Sequence, residues 1–201
     1  MSDQPDPVPR ALHAATAALR AGKLIVYPTE TFYGIGARAL AAGAVGALAR
    51  LKERGGEGGK PISVIVADRV MVARVAARVP LPAEVLMQHF WPGPLTLVLP
   101  ARDDLPPELS AGSGRIGVRV SSHPVARALV ATLGEPITAT SANRAGEAPA
   151  CDAAAARHTL GDDIAVYIDG GAVAGGSGST VLVVDDDAGH VVRAGAVSVA
   201  A

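Results

Sequence analysis

Apolar positions change period along the chain, and the changes mark its elements. Leu12, Ala15, Ala18 and Leu19 share one face at helical spacing, so residues 9–21 are predicted as an amphipathic helix that stops at Gly22. Residues 23–27 are a continuous apolar strand running into Pro28. A hydroxyl cluster then ends in Gly34-Ile-Gly36. Val45, Leu48 and Leu51 align on a helix over 44–51, and β-branched residues make 62–66 a strand. Helices are expected over 70–79 and 83–90, separated by Pro80 and Pro82. A strand follows at 95–99, then an irregular connection over 100–114. The next strand is 115–120, with His123 and Pro124 opening a helix to Leu133. A short strand covers 136–140, and Asp152 caps a helix to about residue 160. Strands at 164–168, 180–184 and 190–193 complete the series, the last two joined through Asp187-Ala-Gly189 as a hairpin. Helices alternate with strands early and strands dominate late. The expected fold class is therefore α/β, a mixed sheet that is parallel in part and antiparallel in part, with flanking helices.

Composition narrows the class. The 201 residues are 49% hydrophobic and 18% charged, enough for one domain with a real core. Aromatics are only 3%, so that core must be Ala, Val, Leu and Ile. A net charge of −1 gives no support for a protein whose main task is to coat nucleic acid. Cys151 is the only cysteine, which excludes an intrachain disulfide and a cysteine zinc cluster and fits a reducing cytoplasm. No apolar run approaches the ~20 residues that span a bilayer. The opening Met-Ser-Asp-Gln-Pro-Asp-Pro lacks the basic and apolar regions of a signal peptide. Residues 1–8 read as a flexible arm and 9–201 as one domain.

Chemistry concentrates where strands end in small polar loops, the usual ligand position in open α/β sheets. Four such units stand out, after residue 27, around 115–119, at 138–143 and at 177–180. They suggest a site that wraps a polar anion. Gly34-Ile-Gly-Ala-Arg-Ala39 fits the dinucleotide fingerprint, but Pro28 to Tyr33 separate strand from glycine, so a tight turn is the better account. Arg54-Gly-Gly-Glu-Gly-Gly-Lys60 fails as a P-loop, because Arg54 holds the first glycine position and Pro61 the magnesium-binding one. With Lys52, Arg54 and Lys60 it reads either as a solvated charge run or as a cationic loop able to close over phosphates. Arg115 and Arg119 lie four apart on a strand and so share a face, where planar guanidiniums suit carboxylates and phosphates. Ser141, Asn143, Ser179 and Thr180 offer short donors without crowding, or close local turns. The five histidines show no zinc spacing, and His123 is a candidate helix cap.

Together these segments resemble the YrdC/Sua5 family. The resemblance rests on Tyr27-Pro-Thr-Glu-Thr-Phe-Tyr-Gly-Ile-Gly36, Lys52-x-Arg54 with Lys60-Pro61, Phe90-Trp-Pro-Gly-Pro-Leu-Thr96, and Val118-Arg-Val-x-x-His-Pro124. It rests also on Thr140-Ser-Ala-Asn143, Ser179-Thr-Val181 and Arg193-x-Gly195. It covers about residues 10–198. The loop between Arg54 and Lys60 is longer than the usual family spacing, and Ile65 stands where some members have a His.

The resemblance implies an open twisted α/β sheet around a positively charged hollow. It implies an L-threonylcarbamoyladenylate synthase, a nucleotidyltransferase that joins threonine, bicarbonate and ATP (carrying Mg²⁺) into threonylcarbamoyl-AMP and pyrophosphate. The implied partner is a downstream transferase complex that modifies adenosine 37 of tRNA, in the cytoplasm. By position, Thr31, Arg119 and Ser179 are implied threonine contacts. Arg54, Lys60, Arg115, Ser141, Asn143 and Arg193 are implied ATP contacts, and Lys52, Arg54 and Arg119 the catalytic set. Two alternatives stand beside this reading. One is a protein of the same fold binding tRNA or double-stranded RNA weakly. The other is a paralogous carbamoyl-adenylate enzyme with another substrate.

Overall fold

A computed structural model describes residues 7–53, 59–144 and 146–198. The expected α/β class holds. Its strands divide into two hydrogen-bonded sheets, with helices packed against them. The elements in chain order are α1 (Pro7–Arg20), β1 (Ile25–Pro28), β2 (Tyr33–Gly36), α2 (Ala42–Glu53), β3 (Val64–Ile65), α3 (Leu81–Phe90), β4 (Leu95–Pro100), α4 (Pro107–Ser110), β5 (Arg115–Arg119), α5 (Pro124–Leu133), β6 (Ile137–Thr138), β7 (Thr140–Ser141), α6 (Ala153–Leu160), β8 (Val166–Tyr167), β9 (Thr180–Val184) and β10 (Gly189–Arg193).

The smaller sheet has the order β7-β2-β1-β8 and the larger β10-β9-β4-β5-β3-β6. In the first, β1 runs parallel to β8 and antiparallel to β2. In the second, β3 is parallel to β5 and β4 parallel to β9, while the other neighbours are antiparallel. The two sheets meet at residues 137–141. There the chain pairs with β3 through β6 and then crosses to β2 through β7. Thr138 is the rivet. Its hydroxyl donates to the Ile35 carbonyl and accepts from the Ala37 N–H, and its own carbonyl accepts from the Tyr27 hydroxyl. The single strand expected over 136–140 is thus two short ones, divided between sheets.

The apolar runs are continuous because both faces of the central strands are covered. On β1, Ile25 and Tyr27 point into a cluster formed with Leu19 of α1 and Leu129 and Val130 of α5. Val26 points the opposite way, into the larger cluster with Leu48, Leu97 and Val118.

Other expectations change as well: the connection over 100–114 includes the short helix α4. β2 replaces the expected turn: the residues after the hydroxyl cluster fold back on β1 with Gly36 opposite Ile25. A Cβ on Gly36 would lie 3.0 Å from both the Ile25 side chain and the Tyr27 ring, so this glycine makes room for the ring across the hairpin. The dinucleotide fingerprint is excluded on the same ground, since its glycines sit inside a strand. The helix expected over 70–79 shrinks to one 3₁₀ turn, Met71–Arg74. The Asp68 carboxylate accepts from the Met71 N–H where the turn begins. Beyond it the backbone bonds go to the end of β4, from the Ala77 N–H to the Pro100 carbonyl and to the Val75 carbonyl from the Arg102 N–H. Tertiary pairing there outcompetes a weak valine-rich helix. The hairpin of β9 and β10 and the caps of α5 and α6 stand as expected.

Candidate functional site

Both sheets contribute to one cavity of about 700 Å³. Its wall brings together Thr31, Lys52, Lys60, Arg119, Ser141, Ser179 and Arg193, residues spread over most of the chain. Asn143 stands just behind the wall, accepting from the Ser141 hydroxyl at 2.6 Å. Arg54 and most of the glycine-rich stretch, read above as a solvated charge run or a loop able to close over phosphates, lie outside the described residues. Arg115, an expected ATP contact, is not in the cavity wall. Although it shares a strand face with Arg119, it sits at the far end of β5 and pairs with Asp185 at 2.6 Å.

Each cavity group is held by its own local chemistry. Thr29 and Thr31 lie in the turn between β1 and β2. The Thr29 hydroxyl donates its one proton to the Phe32 carbonyl at 2.7 Å and accepts from the Thr31 N–H. The 3.1 Å contact between the two hydroxyls must then be donated by Thr31. Thr31 is left with lone pairs, so it presents an acceptor to a ligand.

On the opposite side, Arg193 reaches back from β10 to Ser179, donating to its carbonyl at 2.9 Å and its hydroxyl at 3.0 Å. Thr96 completes the cluster at 2.9 Å from the Ser179 hydroxyl. The segment after β10 lies directly on Ser179 and Thr180. A Cβ on Gly195 would fall 2.3 Å from backbone atoms of both, so only glycine fits this crossing. Burial, reinforced by the nearby Arg119 charge, holds the Arg193 pKa below the usual guanidinium range. Two like charges pressed toward one cavity favour an anion between them.

Lys52 is 7% exposed, and its ammonium donates to the Ser141 carbonyl, the Asn143 carbonyl and the Asn143 side-chain oxygen at 3.0–3.3 Å. A buried charge needs this degree of satisfaction. Its evident effect is to hold the 141–143 turn at the cavity wall.

Sequence reasoning did not single out Glu30, Thr96 or Ser121. Glu30 accepts from Arg119 at 2.9 Å and from the Ser121 hydroxyl. A lone acid inside a hydroxyl cluster, in a chain that also carries strand arginines, is the signal that would have found it.

This α/β scaffold turns two guanidiniums, lysine ammoniums and several hydroxyls into one hollow, a lining suited to an anionic ligand. The family model of Sua5/YciO/YrdC, which carries the description "Telomere recombination", matches residues 17–195. The chain belongs to the Sua5/YciO/YrdC family. The threonylcarbamoyl-AMP synthase of Bacillus subtilis strain 168 is 38% identical over 185 residues, covering 92% of this chain and 53% of the relative. That of Thiobacillus denitrificans is 41% identical over 156 residues, covering 77% of this chain and 80% of the relative. The crystal structure of Pyrococcus abyssi Sua5 complexed with L-threonine superposes with a TM-score of 0.88 at 33% identity, over 96% of this chain and 56% of that one. This chain therefore spans about half the length of the Bacillus and Pyrococcus relatives and four-fifths of the Thiobacillus one.

Proposed function

We propose that this protein is an L-threonylcarbamoyl-AMP synthase, a nucleotidyltransferase that supplies threonylcarbamoyl-AMP for modification of adenosine 37 in tRNA. The observation that carries the reading is the convergence of seven expected site residues on one cavity. Two relatives bear that enzyme's name, and a third similar protein is solved with L-threonine.

The reaction needs two anionic partners held together and little proton transfer from the protein. Threonine's neutral amine attacks the carbon of bicarbonate or its CO₂, forming a carbamate and releasing water from bicarbonate, or from CO₂ the amine proton, which passes to solvent. A carbamate oxygen then attacks the α-phosphorus of ATP, the bond to the bridging oxygen of the β-phosphate breaks, and pyrophosphate leaves. Catalysis of this kind rests on orientation and charge stabilisation. Arg119 is assigned the threonine carboxylate. Thr31, as an acceptor, is assigned a donor group of the amino acid, and Ser179 is assigned to threonine as well. Lys60, Ser141, Asn143 and Arg193 are assigned to ATP, with Arg54 carried by family resemblance. Lys52 keeps the 141–143 turn in place while adding positive charge beside the phosphates. ATP is taken as its magnesium complex, the ion held by the phosphate chain. Among the described residues, no three His, Cys, Asp or Glu gather to hold an ion by themselves.

The test is pyrophosphate release from ATP and bicarbonate against a panel of amino acids, with the product identified by mass. Release that requires threonine is expected. Preference for another amine would transfer the activity to a different carbamoyl-adenylate. Salt-sensitive RNA binding without any turnover would replace the enzyme with an RNA-binding protein.

A further inference from the structure

We infer that Glu30 is the positioning residue that sets the attitude of Arg119 and so tunes affinity for the amino-acid substrate without touching it. This rests on the function proposed above.

Arg119 lines the cavity, whereas Glu30 does not. Their side chains are 8% and 13% exposed, so this ion pair is shielded from water, unlike a surface bridge. Each Glu30 oxygen has its own donor. Oε1 accepts from Arg119 Nη1 at 2.9 Å, and Oε2 accepts from the Ser121 hydroxyl.

Ser121 is itself anchored. It is fully buried, and its oxygen accepts from the His123 N–H at 3.2 Å. The His123 ring in turn caps α5 by accepting from the Val125 N–H at 3.2 Å. A continuous hydrogen-bonded chain therefore runs from the start of α5 through Ser121 and Glu30 to the guanidinium. Among the described residues, Glu30 is the only hydrogen-bond partner of the Arg119 guanidinium. One donor of the planar fork is thus pinned from behind, and the others are left for a carboxylate in front.

The charge count fits the same picture. Arg119 and Arg193 contribute two positive charges, and Glu30 one negative charge. Tyr27 adds none, because complete burial keeps its phenol protonated. Among these groups, Glu30 offsets one of the two positive charges. Without Glu30, Arg119 would be free to swing and would sit beside Arg193 without compensation.

The experiment measures pyrophosphate release with threonine varied at saturating ATP, and with ATP varied at saturating threonine. Loss of a charge-assisted bond of this kind should raise the threonine KM of Glu30→Gln about tenfold or more, with the ATP KM within about twofold of wild type. Ser121→Ala should shift the same constant in the same direction by less. Added formate at matched ionic strength should restore part of the threonine affinity of Glu30→Ala, and chloride should not. A residue with a purely structural role would lower the melting temperature and the active fraction while leaving KM and formate response unmoved, and that result would overturn the inference. So would equal rises in both KM values. If wild type turns over normally and Glu30→Gln keeps the wild-type threonine KM, this inference alone fails. A wild-type protein that releases no pyrophosphate with any amino acid would remove the enzymatic reading and this one with it.

Discussion

The two ends of β5 carry the same pair of groups in opposite settings. Arg115 and Asp185 meet at 2.6 Å with side chains 32% and 45% exposed. Arg119 and Glu30 meet at 2.9 Å with side chains 8% and 13% exposed. The shorter contact belongs to the weaker interaction, because exposed pairs are screened by water and contribute about 0–1 kcal/mol. In the buried pair, removing one partner strands a charge, which costs about 3–5 kcal/mol. Strand alternation puts both arginines on one face. Only depth separates an arginine that holds a surface turn from one that faces the cavity.

The sharpest way to break this contrast is to remove Arg119. Arg119→Ala should reduce kcat/KM for threonine at least about a hundredfold, since it deletes the charge assigned to the carboxylate. It should also destabilise the fold by about 3 kcal/mol, because Glu30 is left without its counter-charge. Adding Glu30→Gln to that variant should recover part of the stability and none of the turnover. Denaturant unfolding and pyrophosphate release measure the two effects separately. A single variant with near-normal turnover would place the amino acid elsewhere.

Next in size is the strap over Ser179. Gly195→Ala forces a Cβ to 2.3 Å from the Ser179 and Thr180 backbone. The segment must lift, taking Arg193 off Ser179. We expect about 2–4 kcal/mol of lost stability and a higher ATP KM. An unchanged ATP KM in the folded fraction would show that Arg193 does not act on the nucleotide.

Much of this was readable beforehand. Helix α1, the cap by His123 and the β9–β10 hairpin follow from local periodicity and turn chemistry, which act within a few residues. The residues that line the cavity were legible through motif order, because each loop keeps its own local pattern. What the pattern could not carry was pairing at a distance. The Gly-Ile-Gly run reads as a turn until the Tyr27 ring is seen to need the space at Gly36. The valines after residue 70 read as a helix until the end of β4 claims their backbone. Glu30 and Arg119, 89 residues apart, share no local signal of partnership, and nothing in the spacing of Arg115 and Arg119 reports their different depths.

Arg115 tests that last distinction directly. Its Nη1 is buried with no hydrogen-bond partner, while its Nη2 holds Asp185. Arg115→Ala should leave the threonine KM unchanged and cost no more than about 1 kcal/mol of stability. An ATP KM raised about tenfold would mean that the guanidinium leaves Asp185 for the nucleotide. The arginine would then belong to the site despite its position outside the wall.

The smallest expected effect concerns the α5 end of the Glu30 chain. Burial depresses the His123 pKa below its ordinary value, against a smaller opposing pull from the Glu30 charge. The folded state thus takes up the proton less readily than the unfolded chain does. The resulting stability is complete above the unfolded histidine pKa and declines as pH falls toward the folded one. Protonation would also replace the lone pair that receives the Val125 N–H. The melting temperature should therefore drop between about pH 7 and about pH 5, the range in which an unfolded histidine gains its proton. His123→Asn keeps a side-chain oxygen able to cap the helix and cannot titrate there, so its profile should be flatter. If both proteins lose stability in parallel, the acid sensitivity arises elsewhere, and His123 serves α5 only as a cap.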